Sequence, residues 1–220
     1  MITVRPARPD DARAIAAIYA PHVVDGVASF ETTAPNAAEI ALRMAAGHRP
    51  WLVASWWSEM PAALPKPFPG GSRCPVAVQP VTAPGASPEE EHGRVAEDQI
   101  LAYAYAAPYG TREAYRWAAE TTIYVAAGAQ GQGVGRRLYA ALLDSLREQG
   151  FTQAIARIAL PNEGSVALHE ALGFHHAGTL TAVGWKLNRW IDVGLWQRAL
   201  ADPVKPPMQT QDVVQASGGS

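Results

Sequence analysis

Three glycines alternate with other residues in Gln130-Gly-Gln-Gly-Val-Gly135. Lacking a Cβ, Gly131, Gly133 and Gly135 let the backbone turn tightly and leave its N–H groups uncovered. A helical pattern follows at once, and a helix N-terminus carries partial positive charge. Such a cradle suits an anion, most naturally a phosphate. Two familiar phosphate loops are excluded: no Gly-Lys-Ser/Thr ends the run, and the spacing is not that of the dinucleotide fingerprint. Taken alone, the loop is also compatible with a plain strand-to-helix turn. Upstream, Glu120 opens a strand pattern, where a carboxylate can act as general base directly or through a water. The stretch before it, Pro108-Tyr-Gly-Thr-Arg-Glu-Ala-Tyr-Arg-Trp117, is a polar and aromatic loop. A guanidinium there, at Arg112 or Arg116, can hold a carboxylate or phosphinate in a two-point fork.

The elements that must position these groups are legible as patterns. Residues 120–125 are β-branched and aromatic enough for a strand. From Val134 the apolar residues Leu138, Ala141, Leu142 and Leu146 fall at helical spacing, and Gly150 sits where a C′ cap belongs. Earlier, residues 2–7 form a short strand. Asp10 or Asp11 then caps a helix with Ile15, Ile18 and Tyr19 on one face, and Pro21 helps close it. A loop over 26–30 ends in Phe30, a core plug or a ligand contact. A second helix has Asn36 as cap, Glu39 as its partner three residues on, and Gly47 as its stop. Residues 50–57, 100–107 and 153–159 read as strands, 161–165 as a turn and 166–172 as a short helix closed by Gly173. Two more strands follow, one from Phe174 and one over 191–197.

From 58 to 98 the texture changes. Eight prolines, at 61, 65, 67, 69, 75, 80, 84 and 88, are scattered among Gly, Ala and Ser, so no ladder or helix of any length can form. The strands on either side would otherwise make a plain hairpin, so 58–98 is expected to be an irregular insertion at its tip. In an antiparallel meander that tip lies at the glycine-loop end, so the insertion is expected to affect affinity for what the loop binds more than the choice of a second ligand near Glu120. Residues 201–220 read as a disordered tail after a single domain over 1–200.

Composition narrows the class. The 220 residues carry 18 basic and 20 acidic side chains with no basic stripe, which argues against nucleic acid. The single cysteine, Cys74, rules out an internal disulfide and suits a reducing compartment. It is a poor covalent nucleophile, since nothing near it in sequence would activate it. No signal-peptide architecture and no apolar run of roughly 20 residues is present, so the expectation is a cytoplasmic protein. The six histidines and the carboxylates show no metal-ligand spacing.

Several blocks together resemble the phosphinothricin N-acetyltransferase branch of the GNAT superfamily. They are the Val27-Ala-Ser-Phe30 loop, Tyr115-Arg-Trp117 with Glu120-Thr-Thr-Ile-Tyr-Val125, the Gln130 loop with its helix, and Leu160-Pro-Asn-Glu-Gly-Ser-Val-Ala-Leu-His-Glu-Ala-Leu-Gly-Phe174. Gly184-Trp-Lys186 and Trp190-Ile-Asp-Val-Gly-Leu-Trp-Gln-Arg198 fit the same branch. The Leu-Pro-Asn to Gly-Phe block discriminates best, because GNAT proteins in general share only the Gln/Arg-x-x-Gly-x-Gly signature. The insertion and the tail depart from the pattern.

The resemblance implies a GNAT fold of the α/β (α+β) class: a central mixed, mostly antiparallel twisted sheet flanked by helices. It implies acetyl-CoA as cosubstrate and direct N-acetylation, in a ternary complex, of a small amino acid analogue such as phosphinothricin or methionine sulfoximine or sulfone. Glu120 would be the base and His169 a second proton-transfer group. Backbone groups of Ile123, Tyr124 and Val125 would pair with the pantetheine arm. The amides of Gly131, Gln132, Gly133, Val134, Gly135 and Arg136, after Gln130, would hold the pyrophosphate. Asn162 and Ser165 would close the pantetheine side, and Phe30, Arg112 and Tyr115 would line the acceptor. A homodimer is expected on the same ground. Other amines (a polyamine, an aminoglycoside, a protein N-terminus) and a non-catalytic CoA-binding module are the alternatives.

Overall fold

The computed structural model describes residues 1–46, 49–56 and 98–202. The chain runs β1 (Ile2–Pro6), α1 (Ala12–Val24), α2 (Ala37–Ala46), β2 (Trp51–Trp56), β3 (Gln99–Pro108), β4 (Ala118–Val125), α3 (Val134–Glu148), β5 (Gln153–Leu160), α4 (Glu163–Ala171), β6 (His175–Lys186) and β7 (Arg189–Ala199). One seven-stranded sheet has the order β1-β2-β3-β4-β5-β7-β6. Every neighbouring pair is antiparallel except β4 with β5. This is the mixed, mostly antiparallel sheet with flanking helices that the resemblance implied.

Strand alternation builds a core on each face. Ala102, Ala104 and Ala106 of β3 turn toward one cluster with Leu138, Leu142 and Leu146 of α3. Tyr103, between them, turns toward the other, with Ile15 and Ile18 of α1 and Ile40 of α2. Small residues under α3 let that helix lie close to the sheet. Large rings face α1 and α2, where Trp51 stacks on Tyr105 at 4.3 Å and Tyr103 on Tyr124 at 5.5 Å.

Local signals settled most boundaries. Asn36 and Glu39 exchange hydrogen bonds, the Asn36 N–H donating to the Glu39 carboxylate at 2.8 Å and the Glu39 N–H to Asn36 Oδ1 at 3.0 Å. Gly150 and Gly173 take positive φ of 88° and 81° just past α3 and α4, the C′ conformation that glycine favours. Three details differ from the sequence reading. Pro21 lies inside α1 near its C-terminal end. Asp11 does not cap α1 with its side chain; it accepts hydrogen bonds from the Arg8 N–H at 2.6 Å and from the two terminal guanidinium nitrogens of Arg5. The 161–165 turn is shorter than expected, because Asn162 is already the cap and Glu163 begins α4. Gly47, Trp57, Cys74 and the tail beyond 202 fall outside the described residues, as does nearly all of the proline-rich stretch. The residues that flank that stretch, Trp56 and Gln99, pair with each other, and Ala102 pairs with Val125. This is the end of the sheet from which the chain enters the glycine loop.

Candidate active site

The parallel pair at the centre of the sheet is short. β4 and β5 pair only through Ala118 with Gln153, Ala119 with Ala154 and Glu120 with Ile155. Beyond that point residues 121–125 and 156–160 share no ladder, so the two strands part as a wedge. β4 stays paired to β3 as far as Val125, and β5 to β7 as far as Leu160. Each strand therefore presents an edge to the gap, and an unpaired strand edge is a template for an added extended chain. Ile123, Tyr124 and Val125 lie on that edge. The apex is pinned from the α3 side, where the Thr121 hydroxyl donates to the Ile155 carbonyl at 3.2 Å and accepts from Tyr139 at 2.7 Å.

The mouth of the wedge lies between the glycine loop after β4 and the cap of α4 after β5. Gly131 and Gly133 hold φ of 74° and 76°, and a Cβ on either would meet nothing within 4 Å. Their glycine requirement is thus conformational, and the surface over the loop is bare. A Cβ on Gly135 would instead lie 3.2 Å from Val125, with Leu168 close behind, so that glycine lets α3 pack closely. The first-turn N–H groups of α3 have no partner within their own helix, and Gln130, Gln132 and Arg136 are exposed around them. These observations fit a pyrophosphate and an extended pantetheine arm. Asn162 is committed to capping, its Oδ1 accepting the Ser165 N–H at 3.1 Å.

Glu120 stands at the apex on the α1/α2 face. Its carboxylate lies 3.3 Å from the Arg157 guanidinium of β5 and its side chain is 26% exposed. Burial pushes its pKa up from the usual carboxylate range and Arg157 draws it partly back. His169 is on the other face. It is buried, its ring packs edge-on against Tyr139 and Phe174 at 4.9 and 5.2 Å, and its Nδ1 donates to the Ser165 carbonyl at 2.7 Å. That bond leaves Nε2 as the acceptor of a neutral ring, and burial lowers its pKa. Strand parity separates the two: Thr121 points toward Tyr139 and hence toward His169, whereas Glu120, its neighbour, points away.

The expected acceptor residues fall at the two ends of β4: the Phe30 loop beside Tyr124, toward the mouth of the wedge, and the loop of Arg112 and Tyr115 at the end that carries Glu120. The Phe30 loop lies on its face: Tyr124 donates to the Ala28 carbonyl at 3.4 Å, Lys186 Nζ to the Ser29 carbonyl at 2.6 Å, and the Phe30 ring covers Gly184. Tyr115 packs edge-on against Tyr109 at 5.4 Å in the loop that leaves β3 beside Glu120. In that loop Arg116 is engaged, paired with Glu113 at 2.6 Å and stacked on Trp117, while Arg112 is exposed. The two arginines left open by the sequence are thereby distinguished.

Sequence reasoning missed Arg157, although an arginine inside the apolar run 154–160 was a signal. It also missed a cavity of about 290 Å³ on the same face, lined by Tyr19, Arg43, Trp51, Tyr103, Tyr105 and Pro108 among others. There Glu31 takes two hydrogen bonds from Arg43, at 2.7 and 3.0 Å, and one from Tyr19 at 2.9 Å. The signal for it was the alternation of Tyr103 and Tyr105.

Comparison with known proteins agrees with this geometry. Residues 93–195 match the family described as Acetyltransferase (GNAT) domain. Phosphinothricin N-acetyltransferase of Alcaligenes faecalis is 38% identical over 203 residues, covering 90% of this chain and 82% of that protein. The enzyme of the same name from Streptomyces viridochromogenes is 46% identical over 119 residues, which are 54% of this chain; the chain spans 64% of its length, less than two thirds. Among solved structures, a GNAT superfamily phosphinothricin acetyltransferase from Sinorhizobium meliloti in complex with AcCoA superposes with a TM-score of 0.71 at 30% identity, covering 98% of this chain and 96% of that one. The wedge, its glycine loop and these likenesses together place this chain in the GNAT acetyltransferase superfamily, in the phosphinothricin N-acetyltransferase branch.

Proposed function

We propose that this chain transfers the acetyl group of acetyl-CoA to the amino group of a small amino acid analogue of the phosphinothricin or methionine sulfoximine/sulfone type. The observation that carries the reading is the wedge between β4 and β5, with a carboxylate at its apex and an anion cradle at its mouth. Acetyl-CoA supplies the activated acyl group. The β4 edge at Ile123, Tyr124 and Val125 aligns its pantetheine arm, and the amides from Gly131 to Arg136 hold its pyrophosphate. Asn162 and Ser165 bound the same arm from the β5 side. With acetyl-CoA so held, Glu120 would take a proton from the acceptor's ammonium; the free amine would attack the acyl carbon, the C–S bond would break, and CoA would leave as a thiolate that takes up the amine's second proton. His169 is the second proton-transfer group, acting through Nε2 from the opposite face. Phe30, Arg112 and Tyr115 surround the acceptor.

Residues 1–200 form one catalytic domain in this reading, with 58–98 inserted at the β2–β3 tip and 201–220 as a tail. The protein works in the cytoplasm as a homodimer. Among the described residues no helix is long and apolar enough to cross a membrane. The outer hairpin β6–β7 exposes Val183, Trp185, Leu187 and Trp190, each more than half accessible, and a patch of this kind suits a second copy of the chain.

The test is CoA release, followed with a thiol-reactive dye, over phosphinothricin, methionine sulfoximine, methionine sulfone, ordinary amino acids and a polyamine, with Glu120→Gln in parallel. Turnover of the first three that collapses in the variant is the expected result. Tight acetyl-CoA binding without turnover of any acceptor would overturn it.

A further inference from the structure

Arg157 lies on β5 just beyond Ile155, the last residue of that strand to pair with β4. Its Nη2 approaches Glu120 Oε2 at 3.3 Å in a single long contact, and half of its side chain (51%) is exposed. A pair so open to water is worth about 1 kcal/mol or less, so an incoming anion can displace it. Of the other cations around this face, Arg112 is exposed in the loop after β3 and the rest named here are engaged. Arg43 is held by Glu31, Lys186 by the Ser29 carbonyl and Arg116 by Glu113, while Tyr105 approaches Glu120 from β3.

A base must come within about 2.6–3.2 Å of the group it deprotonates. In an α-amino acid the carboxylate shares its carbon with that amine, so whatever holds the carboxylate must sit beside the base. Arg157 does.

We propose that Arg157 determines specificity by binding the acceptor's α-carboxylate: its guanidinium leaves Glu120 for that carboxylate, selecting α-amino acids over amines without it. The exchange also releases Glu120 to receive the proton, and the acceptor's distal phosphinate or sulfone is left to Arg112. This rests on the acetyl-transfer reading above.

The test compares acetylation of L-phosphinothricin and of its decarboxylated analogue, 3-aminopropyl(methyl)phosphinate, by the wild type, Arg157→Gln and Arg157→Lys. In Arg157→Gln the KM for L-phosphinothricin should rise about tenfold or more, with a smaller change in kcat and partial recovery in Arg157→Lys. The KM for the analogue should change about threefold or less. An equal change for both acceptors, or none for L-phosphinothricin, would overturn the proposal. If the wild type acetylates neither, the acetyl-transfer reading fails for these acceptors. Calorimetric titration of L-phosphinothricin into the CoA-loaded proteins then decides on Arg157 alone: binding weakened about tenfold in Arg157→Gln upholds its role, and equal or absent binding overturns it.

Discussion

Thr121 Oγ1 and Tyr139 OH lie 2.7 Å apart at the point where β4 and β5 separate. The threonine's one proton goes to the Ile155 carbonyl, which can only accept, so the tyrosine donates to the threonine. A helix on one face thereby ties two diverging strands together immediately beside Glu120.

The two sides of this tie are unequal. Tyr139→Phe leaves Thr121 still bonded to Ile155 and should cost about 1 kcal/mol. Thr121→Val strands the buried Tyr139 hydroxyl without its acceptor and should cost more, about 1–3 kcal/mol. Urea denaturation of both variants measures the difference, and a reversed order would show that Tyr139 finds another acceptor.

Burial holds the Glu120 pKa above the usual carboxylate range, with Arg157 opposing. As the proposed base, Glu120 must be ionised to work, so kcat/KM should fall as pH drops through that raised value. Glu120→Gln should lose about 100-fold or more in rate and lose this acid limb. The limb belonging to the acceptor's own amine should remain. A profile that keeps the acid limb in the variant would assign it to another group.

Gly133 is held at φ +76° with open space around it. Gly133→Ala therefore meets no clash, only the left-handed backbone penalty of about 1–2 kcal/mol. The loop should relax away from the proposed anion-binding conformation, raising the KM for acetyl-CoA about fivefold, while the acceptor KM stays nearly constant. Substrate-saturation curves for each substrate separate the two effects.

Arg5 bridges two carboxylates, Asp11 at 2.7 Å and Asp98 at 2.8 Å, tying β1 to the start of β3. Burial works to raise the Asp11 pKa, but the Arg5 hydrogen bonds and the Arg8 N–H outweigh it and the net shift is downward. A lowered carboxylate pKa stabilises the fold above its unfolded value, about 3.9, and that contribution is lost as pH falls through the folded value. Arg5→Met should cost about 2–3 kcal/mol at neutral pH, and the gap to wild type should close in acid. Thermal melts of both proteins over a pH series give the curve; a gap that does not depend on pH would mean Arg5 acts through packing alone.

Much of the local chemistry was readable where it depended on near neighbours in the chain. The Asn36 and Glu39 cap, the glycines at 150 and 173, and the alternation that gives β3 an alanine face and a tyrosine face all rest on contacts within a few residues. The misread end of α1 shows where local reading stops. Pro21 near the end of α1 removes a single N–H, which the packing of Ile15, Ile18 and Tyr19 offsets.

By itself, the sequence determined the order of strand, glycine loop and helix, the carboxylate ahead of it, and the residue types that mark the family. Only the tertiary structure decided what faces what. Glu120 and His169 fall on opposite sides of the sheet because a strand turns successive side chains to opposite faces, and β4 enters its one parallel pairing in a single register. Arg157 meets Glu120 across strands far apart in sequence. The wedge exists because that parallel ladder stops after three pairs, a limit that no periodicity within β4 or β5 records.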